Sequence, residues 1–402
     1  MEIADAAKIA HCEVCDKKQL NLAFSLGAQP LCDDLKLIGS KAQGANYPIN
    51  VLLCSHCLTA HQEYQVKPEL LFHPNYHYRA QLTKDVLNGM SDLVQNIKQV
   101  RGDLKGASVL DIGCNDGSLL DFFFAEGATT FGIEPTQAIR DCSDEHTVIN
   151  AFFNAETAKS FRDNFGAPDI ICFTNVFAHI SDLNGLIKNL KLLIGDQTLV
   201  VVENHYLGSV VSNFQFDTFY HEHPRTYSLR SFTHIAKKLE MSIIEHSFPE
   251  RYGGNIRVIL ASGGDASEAW EQALIDDLSK ERAVIEQLNL FGQKLEIWKD
   301  EFRARIEKWK QSGLKVAGKA FPGRASIIIN ALGLSEKDIP VIFEQPNSPK
   351  VGHYVPGTFI KIVAEDQIDE YDVLVNFAWH INPEITQYLL KKGFKGEVVP
   401  VI

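Results

Sequence analysis

Apolar and polar positions change their period three times along the 402 residues. Over 1–80 the apolar stretches are short and irregular, as at 20–26 and 51–54. From about 81 to 245, short apolar runs alternate with helical spacing. Runs at 108–112, 130–134, 169–174 and 198–203 read as strands, and apolar residues three and four apart at 84–100 and 183–193 read as amphipathic helices. Strands alternating with helices predict a parallel sheet covered on both faces. The stretch 267–311 sets Trp270, Ala273, Leu274, Leu278, Ile285, Leu288 and Leu290 among charges and predicts one or two long helices. Its period is not sustained in heptads, which argues against a coiled coil. After Gly313 a smaller alternation begins, with strands expected at 314–317, 341–343, 373–377 and 398–402 and a helix at 325–332. The expected class is α/β. The expected domains are 1–80, 81–245 and 246–402, the last with a long helical lead-in.

Composition changes this picture little. Hydrophobic residues are 45% and charged residues 22% of the chain, an ordinary globular balance. The net charge of −12 disfavours broad, charge-driven binding to nucleic acid. No apolar run approaches the ~20 residues of a membrane span. Residues 1–11 carry Glu2, Asp5 and Lys8 in place of an apolar signal core, so a cytoplasmic location is expected.

Eight cysteines are too few for a disulfide scaffold, but four are spaced for a metal. Cys12 and Cys15 form one C-x2-C turn, and Cys54 and Cys57 another after 38 intervening residues. Each turn offers two thiolates, and together they make a closed tetrahedral site for a structural Zn²⁺. The long gap requires a hairpin-bearing insertion to bring the pairs together. Cys32 and His11 are weaker substitutes as ligands.

The strand at 108–112 runs into Gly113, Asn115 and Gly117. Glycines there let the backbone approach a ligand at the end of a parallel strand. A second strand ends in Glu134, 17 residues after Gly117, where an acid can accept hydrogen bonds from both ribose hydroxyls. The spacing is not G-x-G-x-x-G and no Walker lysine is present, which disfavours dinucleotides and nucleoside triphosphates. The pattern resembles motif I of class I S-adenosylmethionine-dependent methyltransferases. By that resemblance Asp111 and Gly113 border the methionine part and Glu134 the ribose. Asn175 and His179, after the third strand, fall along the same crevice rim.

Tyr220, His221, Glu222 and His223 stand in a row after the strand ending at Glu203. Histidine suits proton transfer near neutral pH, and tyrosine can stabilise a developing oxyanion. The spacing excludes H-E-x-x-H. Arg225 or His205 could bind an anion.

Taken together, the chain resembles the zinc-containing sugar C-methyltransferases that act on nucleotide-linked deoxyketosugars. The resemblance rests on both C-x2-C pairs, Tyr76 and Tyr78, the motif-I turn, and the segments 175–179 and 216–223. It extends to 253–257, 349–357 and 377–379. It implies an N-terminal zinc-binding domain, a central class I methyltransferase doubly wound sheet and a C-terminal Rossmann-like domain around one cleft. It implies S-adenosylmethionine as cofactor, a nucleotide-linked sugar as substrate and His223 as the base. Tyr220 and Glu222 are then neighbours at the sugar, and His179 with Tyr76 or Tyr78 completes the pocket. Arg324, Glu344 and His380 depart from the family pattern, which has Lys, Asp and Asn there. Two alternatives remain at this level: an O- or N-methyltransferase, or a non-catalytic zinc-ribbon assembly protein.

Overall fold

The structure, a computed structural model, describes residues 5–42, 44–72, 78–263 and 268–402, without the side chains of positions 252, 268 and 269.

The central sheet has seven strands. Ser108–Ile112, Thr129–Ile133, Thr147–Ile149, Ile170–Thr174 and Leu199–His205 run parallel. The neighbours of Ser108–Ile112 lead off in opposite directions, so strand order reverses there. Alternation along the strands explains why both faces are covered. Val109, Ile170, Cys172 and Val201 pack on one side, against Leu93, Ile97 and Phe123. Leu110, Ile112, Phe173 and Val202 pack on the other, against Leu186, Leu190 and Phe232. The helices at Lys84–Arg101 and Leu183–Leu193 match the apolar spacing.

The sheet runs on past residue 245. Asn255–Ala261 inserts antiparallel between Leu199–His205 and Ser242–Ser247. This strand escaped the hydropathy pattern because it carries Asn255 and Arg257, both buried. Fully buried Glu203 accounts for them. It pairs with Arg257 at 2.7 Å and with Arg251, and accepts from Asn255 Nδ2 at 3.0 Å.

The N-terminal region is a long hairpin, Leu20–Pro30 with Asn46–Cys54, widened by Ala60–Gln62. It also joins both other regions. Arg225–Thr226 of the central region pairs with Ala60–Gln62. Lys36–Leu37 extends the edge of the C-terminal sheet through His353–Tyr354. The C-terminal sheet is otherwise built on parallel strands at Val316–Lys319, Val341–Glu344, Lys361–Ala364, Val373–Asn376 and Glu397–Pro400. Its first strand starts two residues later than the apolar reading and ends on buried Lys319, neutralised by Glu365 at 2.8 Å. The lead-in is two helices, Glu268–Ile285 and Phe291–Gln311, broken by a 3₁₀ turn. One core cluster contains Val51 of the N-terminal hairpin, Phe216 and Phe219 of the central region, Phe291, and Ile328 of the C-terminal region. Among the described residues no helix is long and apolar enough to cross a membrane.

Candidate active site and metal centre

The hairpin brings the two C-x2-C turns together, as the long gap requires. The sulfurs of Cys12, Cys15, Cys54 and Cys57 all lie within 4.8 Å of one another. Cys12 and Cys57 are 3.4 Å apart, and Cys15 and Cys54 3.6 Å. Four thiolates around zinc at about 2.3 Å would sit about 3.8 Å apart, so the set fits the metal. Side chains around it are placed to hold the thiolates. His61 Nε2 is 3.2 Å from Cys12 Sγ, and Thr59 Oγ1 is 3.1 Å from Cys57 Sγ. Such outer partners orient ligands and tune their basicity. Cys32 and His11 are not in this group. Cys32 instead accepts a hydrogen bond from Ser326 at 3.2 Å, and His11 is exposed.

The carboxyl ends of the strands where their order reverses are where a doubly wound sheet binds its ligand. Gly113 and Gly117 both adopt positive φ there, +79° and +80°. A Cβ on Gly113 would lie 2.5 Å from a methyl of Val176, so only glycine fits. Asn115 is left-handed too, at +52°. Its side chain accepts from Ala80 N at 3.0 Å and donates to Tyr78 O at 3.2 Å, which roofs the turn. Glu134 accepts from the backbone of Asn115 at 3.1 Å and of Thr136 at 2.8 Å. Asn175 lies at the end of the next strand with φ +54°. Asp111 is buried, and among the described residues its Oδ1 has no partner. Burial, reinforced by the charge of Glu134, pushes its carboxyl up to about 8. A buried oxygen left unpaired beside a glycine turn fits a ligand that brings its own donor, as S-adenosylmethionine does.

The imidazole of His223 lies by the ends of the neighbouring strands. Gly113 abuts Val176, and three residues further His179 places its ring 4.8 Å from that of His223. His205, at the end of its own strand, sets a third ring 5.2 Å from His223. His223 Nδ1 donates to the carbonyl of Thr218 at 3.0 Å, since a carbonyl can only accept. Nε2 therefore carries the lone pair, and the Tyr220 hydroxyl donates to it at 3.1 Å. His179 Nδ1 donates in the same way to Glu222 O at 2.8 Å. Burial holds His223 and His205 well below the usual histidine range and His179 down to about 4. Burial likewise raises Tyr220 well above the usual phenol range. Near pH 7 the cluster is thus a protonated phenol beside neutral imidazoles, one with its basic nitrogen presented.

Other residues fall elsewhere. His221 turns away and donates from Nε2 to Tyr47 O at 3.1 Å. Glu222 is buried beside the cluster, and its backbone orients His179. Tyr78 is exposed and meets the cofactor turn through its carbonyl. Tyr76 lies outside the described residues. Arg225 is no anion site. It is fully buried, and Glu13, Tyr227, Ser181 and Ile180 take up its donors. His205, which the sequence offers only as an anion ligand because a lone histidine at a strand end gives no stronger signal, joins the His223 cluster instead.

Three family models match the chain in succession. They are a zinc binding domain over 12–72, a methyltransferase domain over 78–246 and a C-methyltransferase C-terminal domain over 250–399. The chain is 26% identical to the C-methyltransferase NovU of Streptomyces niveus, over 94% of this chain and 91% of that protein. It is 28% identical to a ubiquinone biosynthesis O-methyltransferase of Coxiella burnetii, over 23% of this chain and 40% of that one. Among solved structures, magnesium protoporphyrin IX methyltransferase from Synechocystis PCC 6803 with bound SAH aligns with 47% of this chain and 90% of its own. The identity there is 14% and the TM-score 0.36. The three models coincide in turn with the cysteine cluster, the glycine turn and the C-terminal sheet. The chain belongs to the zinc-binding, S-adenosylmethionine-dependent C-methyltransferases.

Proposed function

We propose that this enzyme methylates a carbon alpha to the ketone of a nucleotide-linked 4-keto-deoxysugar, with His223 as the base that makes that carbon nucleophilic. The carrying observation is the neutral, buried imidazole of His223, its Nδ1–H fixed on Thr218 and its Nε2 lone pair held by the Tyr220 hydroxyl. When bound, S-adenosylmethionine supplies an electrophilic methyl group on a sulfonium. Asp111, Gly113, Asn115, Gly117, Glu134 and Asn175 would hold it. The protein does the rest. His223 Nε2 takes the proton beside the ketone. The Tyr220 hydroxyl, displaced from Nε2 by the substrate, turns to the oxygen on which charge develops, and His179 lines the same space. Glu222 and Tyr78 or Tyr76 are proposed sugar contacts. The C-terminal domain, expected over 246–402 but beginning only after Asn255–Ala261 completes the central sheet, would carry the nucleotide. Charged, water-soluble reactants suit a cytoplasmic enzyme.

The reading is tested by incubation with S-adenosylmethionine and a panel of nucleotide-linked 4-keto-6-deoxysugars and their 4-hydroxy counterparts, followed by mass spectrometry. Gain of one methylene on ketones alone is expected. Methylation of the reduced sugars would replace the reading with O-methylation.

Asp111 gives a second expectation. With its carboxyl near 8 and no donor on Oδ1 among the described residues, it is mostly protonated at pH 7 in the free enzyme. A cationic ligand favours the carboxylate, so cofactor binding should release a proton at pH 7 and tighten as pH rises from 6 to 8. Calorimetry in phosphate and in Tris would show different apparent enthalpies. Asp111→Asn should abolish the difference, and equal enthalpies in the wild type would remove Asp111 from the methionine end.

A further inference from the structure

Two side chains of the C-terminal region reach the segment that carries His223. Arg324 sits at the start of the Ala325–Ala331 helix. Its Nε lies 3.3 Å from Asp217 Oδ2, its Nη1 donates to Thr218 Oγ1 at 3.3 Å, and its Nη2 donates to His380 Nδ1 at 3.1 Å. Trp379 covers the guanidinium, 5.4 Å from its ring centroid, and donates from Nε1 to the same Asp217 oxygen at 3.0 Å. Asp217 is fully buried. The next residue, Thr218, is the one whose carbonyl accepts from His223 Nδ1. All three guanidinium nitrogens already face protein acceptors, so Arg324 is not presented as an open anion site.

We propose that Arg324 and Trp379 are positioning residues for His223, gripping Asp217 and Thr218 so that the Thr218 carbonyl holds the imidazole in its Nδ1–H tautomer. The proposal rests on the reading of His223 as the base. An imidazole in the other tautomer presents an N–H at Nε2 and cannot take a proton there. The C-terminal domain thereby completes the base. A deprotonation-competent site exists only when that domain is seated on 216–223.

The test uses Arg324→Met, Trp379→Phe and Asp217→Asn in the full-length zinc-loaded enzyme. It reads hydrogen–deuterium exchange beside the ketone, KM for the ketosugar, cofactor affinity and the ring ¹⁵N signals of His223. The first two variants should slow exchange about 10- to 100-fold, as small displacements of a reacting group do. KM, cofactor affinity and melting temperature should change little. The ¹⁵N signals, assigned by their loss in His223→Asn, should move from one tautomer to a mixture. Arg324→Lys should recover part of the rate. The Arg324→Met/Asp217→Asn pair should be no worse than its worse member, because both open one latch. Trp379→Phe keeps the ring and serves if Asp217→Asn does not fold. Unchanged exchange and tautomer with a raised KM would overturn the proposal and make Arg324 a substrate contact. Exchange that survives His223→Asn would instead overturn the reading of the base.

Discussion

Replacing His223 with Asn is expected to reduce both turnover and exchange of the proton beside the ketone by roughly 10²–10⁴-fold, the usual worth of general-base help. Asparagine is the informative choice. Its side-chain amide can still donate to Thr218 O from near the position of Nδ1, while the basic Nε2 disappears. The cavity is filled and the backbone turn kept, so the loss reports chemistry. Cofactor affinity should be unchanged, because the glycine turn and Glu134 make no hydrogen bond to His223. Since burial depresses the imidazole, wild-type exchange should stay flat as pH falls from 8 through 6.5, where an ordinary histidine would begin to protonate. Tyr220→Phe leaves Nε2 intact and should cost less. Near-wild-type exchange in His223→Asn would end the enolate reading.

The chain announced some of this site and hid the rest, and the division follows the physics. Ser108–Ile112 was legible because a strand covered on both faces must be mainly apolar, as Val109, Leu110 and Ile112 are. Cys12, Cys15, Cys54 and Cys57 were legible because thiolate chemistry fixes both residue type and spacing. Asn255–Ala261 was not, since Arg257 enters the core only as the partner of Glu203. The same holds for Lys319 with Glu365. A buried charge looks like surface until its partner is known. His223 could be singled out from its neighbours in the row only by a resemblance, because its tautomer depends on a carbonyl five residues away. The grip of Arg324 on Thr218 spans 106 residues of chain, and no local pattern encodes it.

Stripping the zinc, or replacing Cys54 with Ser, is expected to abolish methyl transfer although the metal takes no part in it. Structural zinc typically contributes ~10–16 kcal/mol to small zinc domains, so the hairpin should not keep its shape without it. The segment holding the base is sewn to that hairpin. Gln62 donates its backbone N–H to Pro224 O at 2.9 Å and its Nε2 to Tyr220 O at 2.5 Å. Ser228 donates to Cys57 O at 3.1 Å, and His221 to Tyr47 O at 3.1 Å. Glu13, between the first two ligands, pairs with Arg225 at 2.6 Å. Arg225 in turn holds the carbonyls of Ile180 and Ser181, directly after His179. Loss of the metal therefore loosens His223 and His179 together. The cofactor half should be disturbed less, because the core cluster on the Val109 face of Ser108–Ile112 contains no residue of the hairpin, although the cluster on its Leu110 face takes in Cys12, Cys54 and Cys57. Amide exchange of the stripped protein should rise more across 216–228 than across 108–133, and cofactor affinity should fall less than turnover. If zinc-free enzyme, confirmed by metal analysis, turned over at the full rate, the hairpin could not be what holds these histidines in place.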